Sequence, residues 1–313
     1  SLSNYYESKG LDLDFTTKDK VAVVYAEGNI VDGKGTIGNI GGEKYAEIIR
    51  KIRQDDAVKA IVLRVNSGGG SSMASENIWR ELSLAKEGGK KIVVSMGDYA
   101  ASGGYYIACA ADSIIAEPNT ITGSIGVFGM VPSVQKMLKE KAGITFDTVK
   151  IGQYSAGFTP FFDFTNNEGA FMQQFVDKTY ETFLKRVGTA RHKSRDEVHA
   201  IAQGRVWTGA KAKELGLVDK LGNLDDAIAM AGRLAGIEKY RTVEFPYVKE
   251  PFQQLIDKFT NPDNDDDGED SDYIKSQFIK SELGEMYPFY EYLKTVRTMK
   301  GVQMRLPFQV EMR

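Results

Sequence analysis

Apolar and polar positions alternate in blocks along the first half of the chain. Val21-Ala22-Val23-Val24-Tyr25 is a short, continuous apolar run of the length and type that a strand buried on both faces takes. A glycine-bearing loop over 28–42 follows. From Glu43 to Arg53 the apolar residues Tyr45, Ile48, Ile49 and Ile52 recur at helical spacing. Ile61 to Val65 predicts a second buried strand, a helix runs from about Ser72 to Lys86, and Ile92 to Met96 predicts a third strand. The alternation continues with a helix opening near Ser102, a strand around Ile114-Ile115, the stretch Thr122-Gly123-Ser124-Ile125-Gly126, and a helix from about Pro132. Strands alternating with helices imply parallel pairing through crossover connections.

After residue 165 the pattern turns mostly helical. Asn166 to Val187 is one long amphipathic helix, and Thr208 caps a short helix that stops at Gly216. Another helix spans 222–235, and Val243-Glu244-Phe245 is a strand. Three regions result: a polar lead-in over 1–18, an α/β domain over 19–248, and an extension over 249–313. The extension holds an acidic loop, Asn261 to Asp272, an aromatic-rich helical segment with Phe278, Tyr287, Phe289, Tyr290 and Tyr292, and a strand over Leu306 to Val310. It is apolar enough to dock on its own domain, a neighbouring subunit or lipid.

Composition narrows the options. With 27% charged and 42% apolar residues, the chain reads as a soluble globular protein. Its net charge of −3, with no basic face carrying interleaved aromatics, argues against nucleic acid as a partner. Cys109 is the single cysteine, which excludes an intrachain disulfide, and its neighbours Ile107, Ala108, Ala110 and Ala111 mark it as a small core residue. No apolar run reaches the roughly 18–20 residues that span a bilayer. No signal peptide is read in the opening Ser1-Leu2-Ser3; a processed form or a part excised from a longer polypeptide would begin this way, and the second is expected.

The chemistry concentrates in two glycine clusters. Ser102 lies in Ala100-Ala101-Ser102-Gly103-Gly104-Tyr105, and Ser67-Gly68-Gly69-Gly70 precedes it by about thirty residues. A glycine-flanked serine at a helix start allows close approach of a substrate backbone, and a helix dipole there favours developing negative charge. A triple glycine after a strand leaves N–H groups free to hold an oxyanion. The same residues could merely let a helix end pack tightly. The triple glycine is no Walker loop, because the lysine is missing. An oxyanion role fits better, with a Gly70 N–H, or Gly69 as fallback, joined by the N–H of Gly103. A serine nucleophile needs a base. His192 and His199 sit in the polar helical stretch Arg191 to His199 and read as solvated surface residues, which leaves a lysine held neutral by burial and polar neighbours. Asp263-x-Asp265-x-Asp267-Gly268 opens like a calcium loop, but Ile274 stands where a bidentate glutamate is required.

Four segments together resemble the signal peptide peptidase A family of serine-lysine proteases: Ala60 to Ser71, Val94 to Tyr105, Thr122 to Gly129, and Gly204-Arg205-Val206-Trp207-Thr208-Gly209. The resemblance covers about residues 19–235. It implies a Clp/crotonase-like α/β fold, a repeated β-β-α spiral with parallel sheets and a helical second half. It makes Ser102 the nucleophile, Gly70 and Gly103 the oxyanion hole, and Ser124 the hydroxyl that orients a general-base lysine. It implies remnant signal peptides as substrates, a homo-oligomer of four or more subunits, an extracytoplasmic (periplasmic) position on the inner membrane, and no metal or organic cofactor.

One departure concerns the loop, where the triple glycine replaces the family's Ser-Pro-Gly-Gly. The other concerns the base. Short family members carry their lysine where this chain has Ser155, within Lys150 to Gly157. Long members supply it from an N-terminal half. Val31-Asp32-Gly33, Gly38 to Gly42 and the ending Met312-Arg313 look like the C-terminal half of that long form, so the lysine and the membrane anchor are expected outside this chain. Lys150 is a local candidate for the base. Two rival readings use the same features: a crotonase-like acyl-CoA enzyme, and a non-catalytic or degenerate protease subunit.

Overall fold

The computed structural model describes residues 17–36, 38–152, 155, 159–246, 279, 283–287, 290 and 302–305. In chain order the strands are β1 (Lys20–Glu27), β2 (Asn29–Val31), β3 (Asn39–Gly41), β4 (Val58–Ser67), β5 (Gly69–Ser71), β6 (Lys91–Ala101), β7 (Ser113–Ala116), β8 (Ile121–Gly123), β9 (Phe128–Gly129), β10 (Val206–Thr208), β11 (Lys220–Leu221), β12 (Arg241–Phe245) and β13 (Val302–Arg305). The helices are α1 (Gly42–Gln54), α2 (Ser72–Glu87), α3 (Gly103–Ala108), α4 (Gln135–Ala142), α5 (Asn166–Arg191), α6 (Arg195–Ile201), α7 (Gly209–Glu214) and α8 (Leu224–Ala235).

Two sheets share the work. The larger has the order β10-β8-β6-β4-β1-β12, with β7 also on β6 and β11 on β7. Every pair in it is parallel except β10 with β8. The smaller has the order β3-β2-β5-β13-β9. Two long strands of the first sheet hand the chain to short strands of the second before a helix returns it: β1 to β2 and β3 to α1, then β4 to β5 to α2. This is the repeated strand-strand-helix spiral of the Clp/crotonase type.

The central strands are apolar on both faces because both faces are covered. Successive side chains of a strand point to opposite sides. Val21, Val23, Ala60, Val62 and Val93 accordingly pack against Ala227 and Ala231 of α8. Their neighbours Ala22, Val24, Ile61, Leu63 and Val94 enter the main core with Tyr45, Ile49 and Ile52 of α1 and Ile78 and Leu82 of α2.

Strand β6 runs further than its apolar stretch predicts, to Ala101. Against β4 its register moves from Val65↔Met96 to Ser67↔Ala100, so Gly97, Asp98 and Tyr99 oppose Asn66 alone. Side chains satisfy the backbone groups this bulge releases: the Tyr99 N–H donates to Asn66 Oδ1 at 3.3 Å, and Thr120 Oγ1 donates to the Gly97 carbonyl at 2.8 Å. The bulge turns β6 so that it pairs with β7 before the bend and with β8 after it. Thus β6 delivers the chain to Ser102.

Three boundaries differ from the expected ones. Helix α4 opens at Gln135 rather than near Pro132, since Val134 is the first residue whose carbonyl accepts an intrahelical bond, from the Leu138 N–H. Helix α5 starts on a capping box between Thr165 and Glu168 and continues past Val187 to Arg191, where His192 turns left-handed at φ 53°. The polar stretch Arg191 to His199 is therefore not one helix. Ser194 and Glu197 form a second capping box that starts α6 afresh. The strand expected over Leu306 to Val310, the acidic loop and the lead-in over 1–16 lie outside the described residues. Strand β13 lies just before the expected one, on the domain itself.

Candidate active site

Ser102 occupies the sharp turn between β6 and α3. Its backbone stands at φ 53° and ψ −116°, a conformation that costs a residue with a Cβ about 1–3 kcal/mol. Both ends of the turn are pinned: the Ser102 N–H donates to the Gly123 carbonyl at 2.9 Å, and the Tyr106 N–H donates to the Ser102 carbonyl at 2.8 Å. The hydroxyl Oγ lies 3.5 Å from the Gly126 carbonyl, and the residue is fully buried.

The two glycine clusters meet here. A Cβ built on Gly69 would stand 2.5 Å from the Gly103 backbone nitrogen, and one on Gly104 would stand 2.5 Å from the Ser67 carbonyl oxygen. No side chain fits between these backbones. Gly69 is also at φ 97°, where residues with a Cβ are strained. Its own N–H donates to Ser67 Oγ at 3.1 Å, inside the turn. The next N–H belongs to Gly70, which pairs with Ile30 of β2 on one side and Met304 of β13 on the other. The Met304 carbonyl oxygen faces the point where the glycines converge. It would lie 2.0 Å from a Cβ on Gly69 and 2.9 Å from one on Gly103.

Neighbouring elements hold this geometry. Ser71 caps α2 by accepting from the Ala74 N–H, and its hydroxyl donates to Asp32 Oδ1 at 2.5 Å, which ties the loop after β2 to the glycine turn. Behind Ser102, the Tyr105 hydroxyl donates to the Leu217 carbonyl at 2.8 Å and the Tyr106 hydroxyl donates to Glu76 of α2. Arg186 of α5 donates to the same carboxylate at 2.6 Å and stacks 3.6 Å over the Trp79 ring. Burial, reinforced by Glu76, raises the Tyr106 hydroxyl well above its ordinary pKa, so it stays a donor. Cys109 is buried just past the end of α3, and burial pushes its thiol up to about 12.

Ser124 follows β8 at φ 48°, buried, with its N–H donating to the Arg205 carbonyl at 2.7 Å. It precedes by two residues the Gly126 carbonyl that faces Ser102. Ser102, Gly103, Gly69, Gly70 and the Ser124 loop are therefore brought together. Lys150 is not: it is exposed and lines a small cleft with Gln135, Phe162, Asp163 and Glu168. Ser155 is exposed too, its hydroxyl donating to the Gly152 carbonyl at 2.9 Å. His192 is exposed, and His199 has its Nδ1 2.9 Å from the Tyr180 hydroxyl and its Nε2 2.9 Å from Gln203 Nε2. Sequence reasoning missed Asp32 and Met304. The tie from Asp32 to Ser71 and the approach of Met304 to Gly69 join residues far apart in the chain, and no local pattern marks them.

A spiral of parallel strands that delivers a buried serine, at positive φ, to a glycine-lined helix start is the architecture of Clp/crotonase-like serine hydrolases. Residues 84–238 match the model of peptidase family S49. The chain is 43% identical over 245 residues to Protease 4 of Salmonella typhi, covering 76% of this chain and 38% of that protein. It is 36% identical over 248 residues to the chloroplastic serine protease SPPA of Arabidopsis thaliana, covering 77% and 36% respectively. A Methanocaldococcus jannaschii protein provisionally named a protease is 34% identical over 243 residues, covering 75% of this chain and 77% of that one. The chain belongs to peptidase family S49, a family of serine proteases. It spans little more than a third of the length of the first two relatives.

Proposed function

We propose that this chain is the nucleophile-bearing half of a serine endopeptidase with a split active site. Ser102 Oγ attacks the carbonyl carbon of the scissile peptide bond, and its proton passes to a neutral lysine amine. The N–H groups of Gly70 and Gly103 hold the oxyanion that forms. Collapse of the tetrahedral adduct expels the amine product, which takes the proton back from the lysine ammonium. Water, deprotonated by the same lysine, then hydrolyses the ester, releasing the carboxylic product and regenerating Ser102.

The lysine comes from an N-terminal half outside these 313 residues, with Ser124 orienting it. Lys150, in its separate cleft, is not the base. Between the glycine N–H donors, Gly70 is preferred to Gly69 because the Gly69 N–H is already bonded to Ser67 Oγ. The substrates are short apolar peptides, remnants of signal peptides among them. The assembly is a homo-oligomer of four or more subunits on the extracytoplasmic (periplasmic) face of the inner membrane. Its anchor lies elsewhere in the polypeptide; among the described residues no helix is long and apolar enough to cross a membrane.

The observation that carries this reading is the close packing of Gly69 on Gly103, where a Cβ on Gly69 would stand 2.5 Å from the Gly103 nitrogen, beside a serine at positive φ. The test is labelling by a fluorophosphonate after the chain is combined with the lysine-bearing half. Labelling of Ser102, lost in Ser102→Ala, is expected together with cleavage of apolar peptides. If neither occurs, the degenerate-subunit reading replaces this one. Saturable coenzyme A binding without labelling would favour the acyl-CoA enzyme instead.

A further inference from the structure

The turn between α6 and β10 carries two left-handed residues in a row, Gln203 at φ 60° and Gly204 at φ 74°. A residue with a Cβ takes such a conformation only where its surroundings hold it. What holds Gln203 is a closed ring of hydrogen bonds. Arg205 donates through Nη2 to Gln203 Oε1 at 2.9 Å, and through Nη1 to the Ala200 carbonyl. A guanidinium has only donors, so the amide oxygen faces Arg205 and the amide nitrogen faces His199 Nε2, 2.9 Å away. An imidazole nitrogen opposite an N–H donor is the unprotonated one. The ring proton of His199 therefore sits on Nδ1 and is donated to the Tyr180 hydroxyl oxygen at 2.9 Å. That oxygen also accepts from the Gln203 N–H at 3.3 Å, which closes the ring.

The ring backs onto the loop that carries Ser124. The Arg205 carbonyl accepts from the Ser124 N–H at 2.7 Å, and the Gly204 N–H donates to the Ile125 carbonyl at 3.0 Å. A Cβ on Gly126 would stand 2.9 Å from the Gly204 Cα, so the two loops touch through their backbones. The same loop reaches Ser102 twice: the Gly126 carbonyl lies 3.5 Å from Ser102 Oγ, and the Gly123 carbonyl accepts from the Ser102 N–H. The turn over 203–205 thus sets where Ser124 and the Gly126 carbonyl stand.

We propose that neutral His199 is a positioning residue for the active site, and that its protonation loosens the turn that holds the Ser124 loop. This rests on the catalytic reading above and adds a control by pH to it. A second proton on the imidazole puts an N–H on Nε2, facing the Gln203 amide N–H. Turning the amide round relieves that conflict but sets its nitrogen against Arg205. Either way the ring loses one hydrogen bond. The charged groups around His199 are Glu181 of α5, Arg195 and Asp196 of its own helix, and Arg205 of the turn. Carboxylates and guanidiniums oppose one another there, which leaves the hydrogen bonds to decide. Burial raises the Tyr180 hydroxyl above its ordinary pKa, so it stays protonated. The effect falls between about pH 8 and pH 5, where histidines change charge, with activity lower on the acid side.

The test begins with NMR of the imidazole nitrogens in the full chain at about pH 8. His199→Gln assigns the signals, since His192 is the only other histidine. His199 is expected to carry its proton on Nδ1, and a proton on Nε2 overturns the proposal. The second measurement is the rate at which a fluorophosphonate labels the reconstituted assembly at about pH 6 and about pH 8. In Gln203→Glu the carboxylate accepts from both Arg205 and the charged imidazole, so acid no longer breaks the ring. The ratio of its rate at the lower pH to that at the higher is expected to exceed the unaltered ratio at least about threefold, the scale of one hydrogen bond. His199→Gln, which does not titrate, should raise the ratio too and stands as the test if the first variant misfolds. A general-base lysine slows labelling in acid alike in all three proteins and cancels in the comparison. Equal ratios overturn the proposal and leave the catalytic reading standing. A proton on Nδ1 with no labelling of any of the three supports the ring and overturns the catalytic reading.

Discussion

Gly69 and Gly103 are 34 positions apart, yet a single methyl group on Gly69 would stand 2.5 Å from the nitrogen of Gly103. The approach of these two backbones, rather than any side-chain contact, shapes the space beside Ser102. Gly69→Ala therefore acts twice. It places a Cβ at φ 97°, at a cost of about 1–3 kcal/mol in stability, and it drives a carbon to 2.0 Å from the Met304 carbonyl oxygen and 2.5 Å from the Gly103 nitrogen. Peptidase activity of the reconstituted assembly should fall by about 10² or more, as when an oxyanion donor is lost. Activity within a few-fold of the unaltered protein would remove this turn from the mechanism.

The backbone strain at Ser102 makes a separate prediction. Glycine adopts φ 53° and ψ −116° without penalty, so Ser102→Gly should raise stability by about 1 kcal/mol, seen as a thermal midpoint a few degrees higher. Labelling should vanish at the same time, a gain in stability bought with activity. A lower midpoint would mean that the hydroxyl stabilises the fold more than the turn strains it.

Lys150→Ala should leave labelling and cleavage in the reconstituted assembly within about twofold, because exposed substitutions away from a site are nearly neutral. Activity of the chain by itself, abolished by this variant, would return the base to Lys150.

Arg191 and Asp219 link α5 to the segment before β11. Arg191 donates through Nη1 and Nη2 at 2.9 and 2.5 Å, and the Ile114 N–H donates to the same carboxylate at 2.7 Å. Partial burial alone would raise the Asp219 pKa, but the guanidinium and the N–H outweigh it and hold the carboxyl below its ordinary range. The folded state therefore binds this proton more weakly than the unfolded chain does. The contribution is complete above the unfolded value of about 4 and is lost as pH falls toward the folded value. Asp219→Asn should lower stability at pH 7 by about 1–2 kcal/mol and flatten the loss of stability below pH 4, measured by denaturant unfolding across pH. Parallel acid profiles for the two proteins would rule out this carboxylate as a contributor.

Cys109 should be inert. A buried thiol with its pKa pushed up to about 12 has almost no thiolate at pH 8, so a disulfide reagent should find no reactive group in the folded chain and one after unfolding. Rapid reaction in the folded state would show that α3 opens readily.

Local pattern carried much of this protein. The runs around Val21, Ile61 and Ile92 could only be strands buried on both sides, and Tyr45 to Ile52 could only present one apolar helix face. The glycine-serine clusters announced close backbone approach because glycine is what such approach requires. Tertiary structure decided the rest. It bent β6 at Gly97 to Tyr99, set Ser102 at positive φ, carried Lys150 away to its own cleft, and threaded Met304 between β5 and β9. Each of these depends on pairing between segments distant in the chain, whose free energy comes from shared hydrogen bonds and jointly buried surface. Such terms leave no periodicity in either segment alone, so they exist only once both are in place.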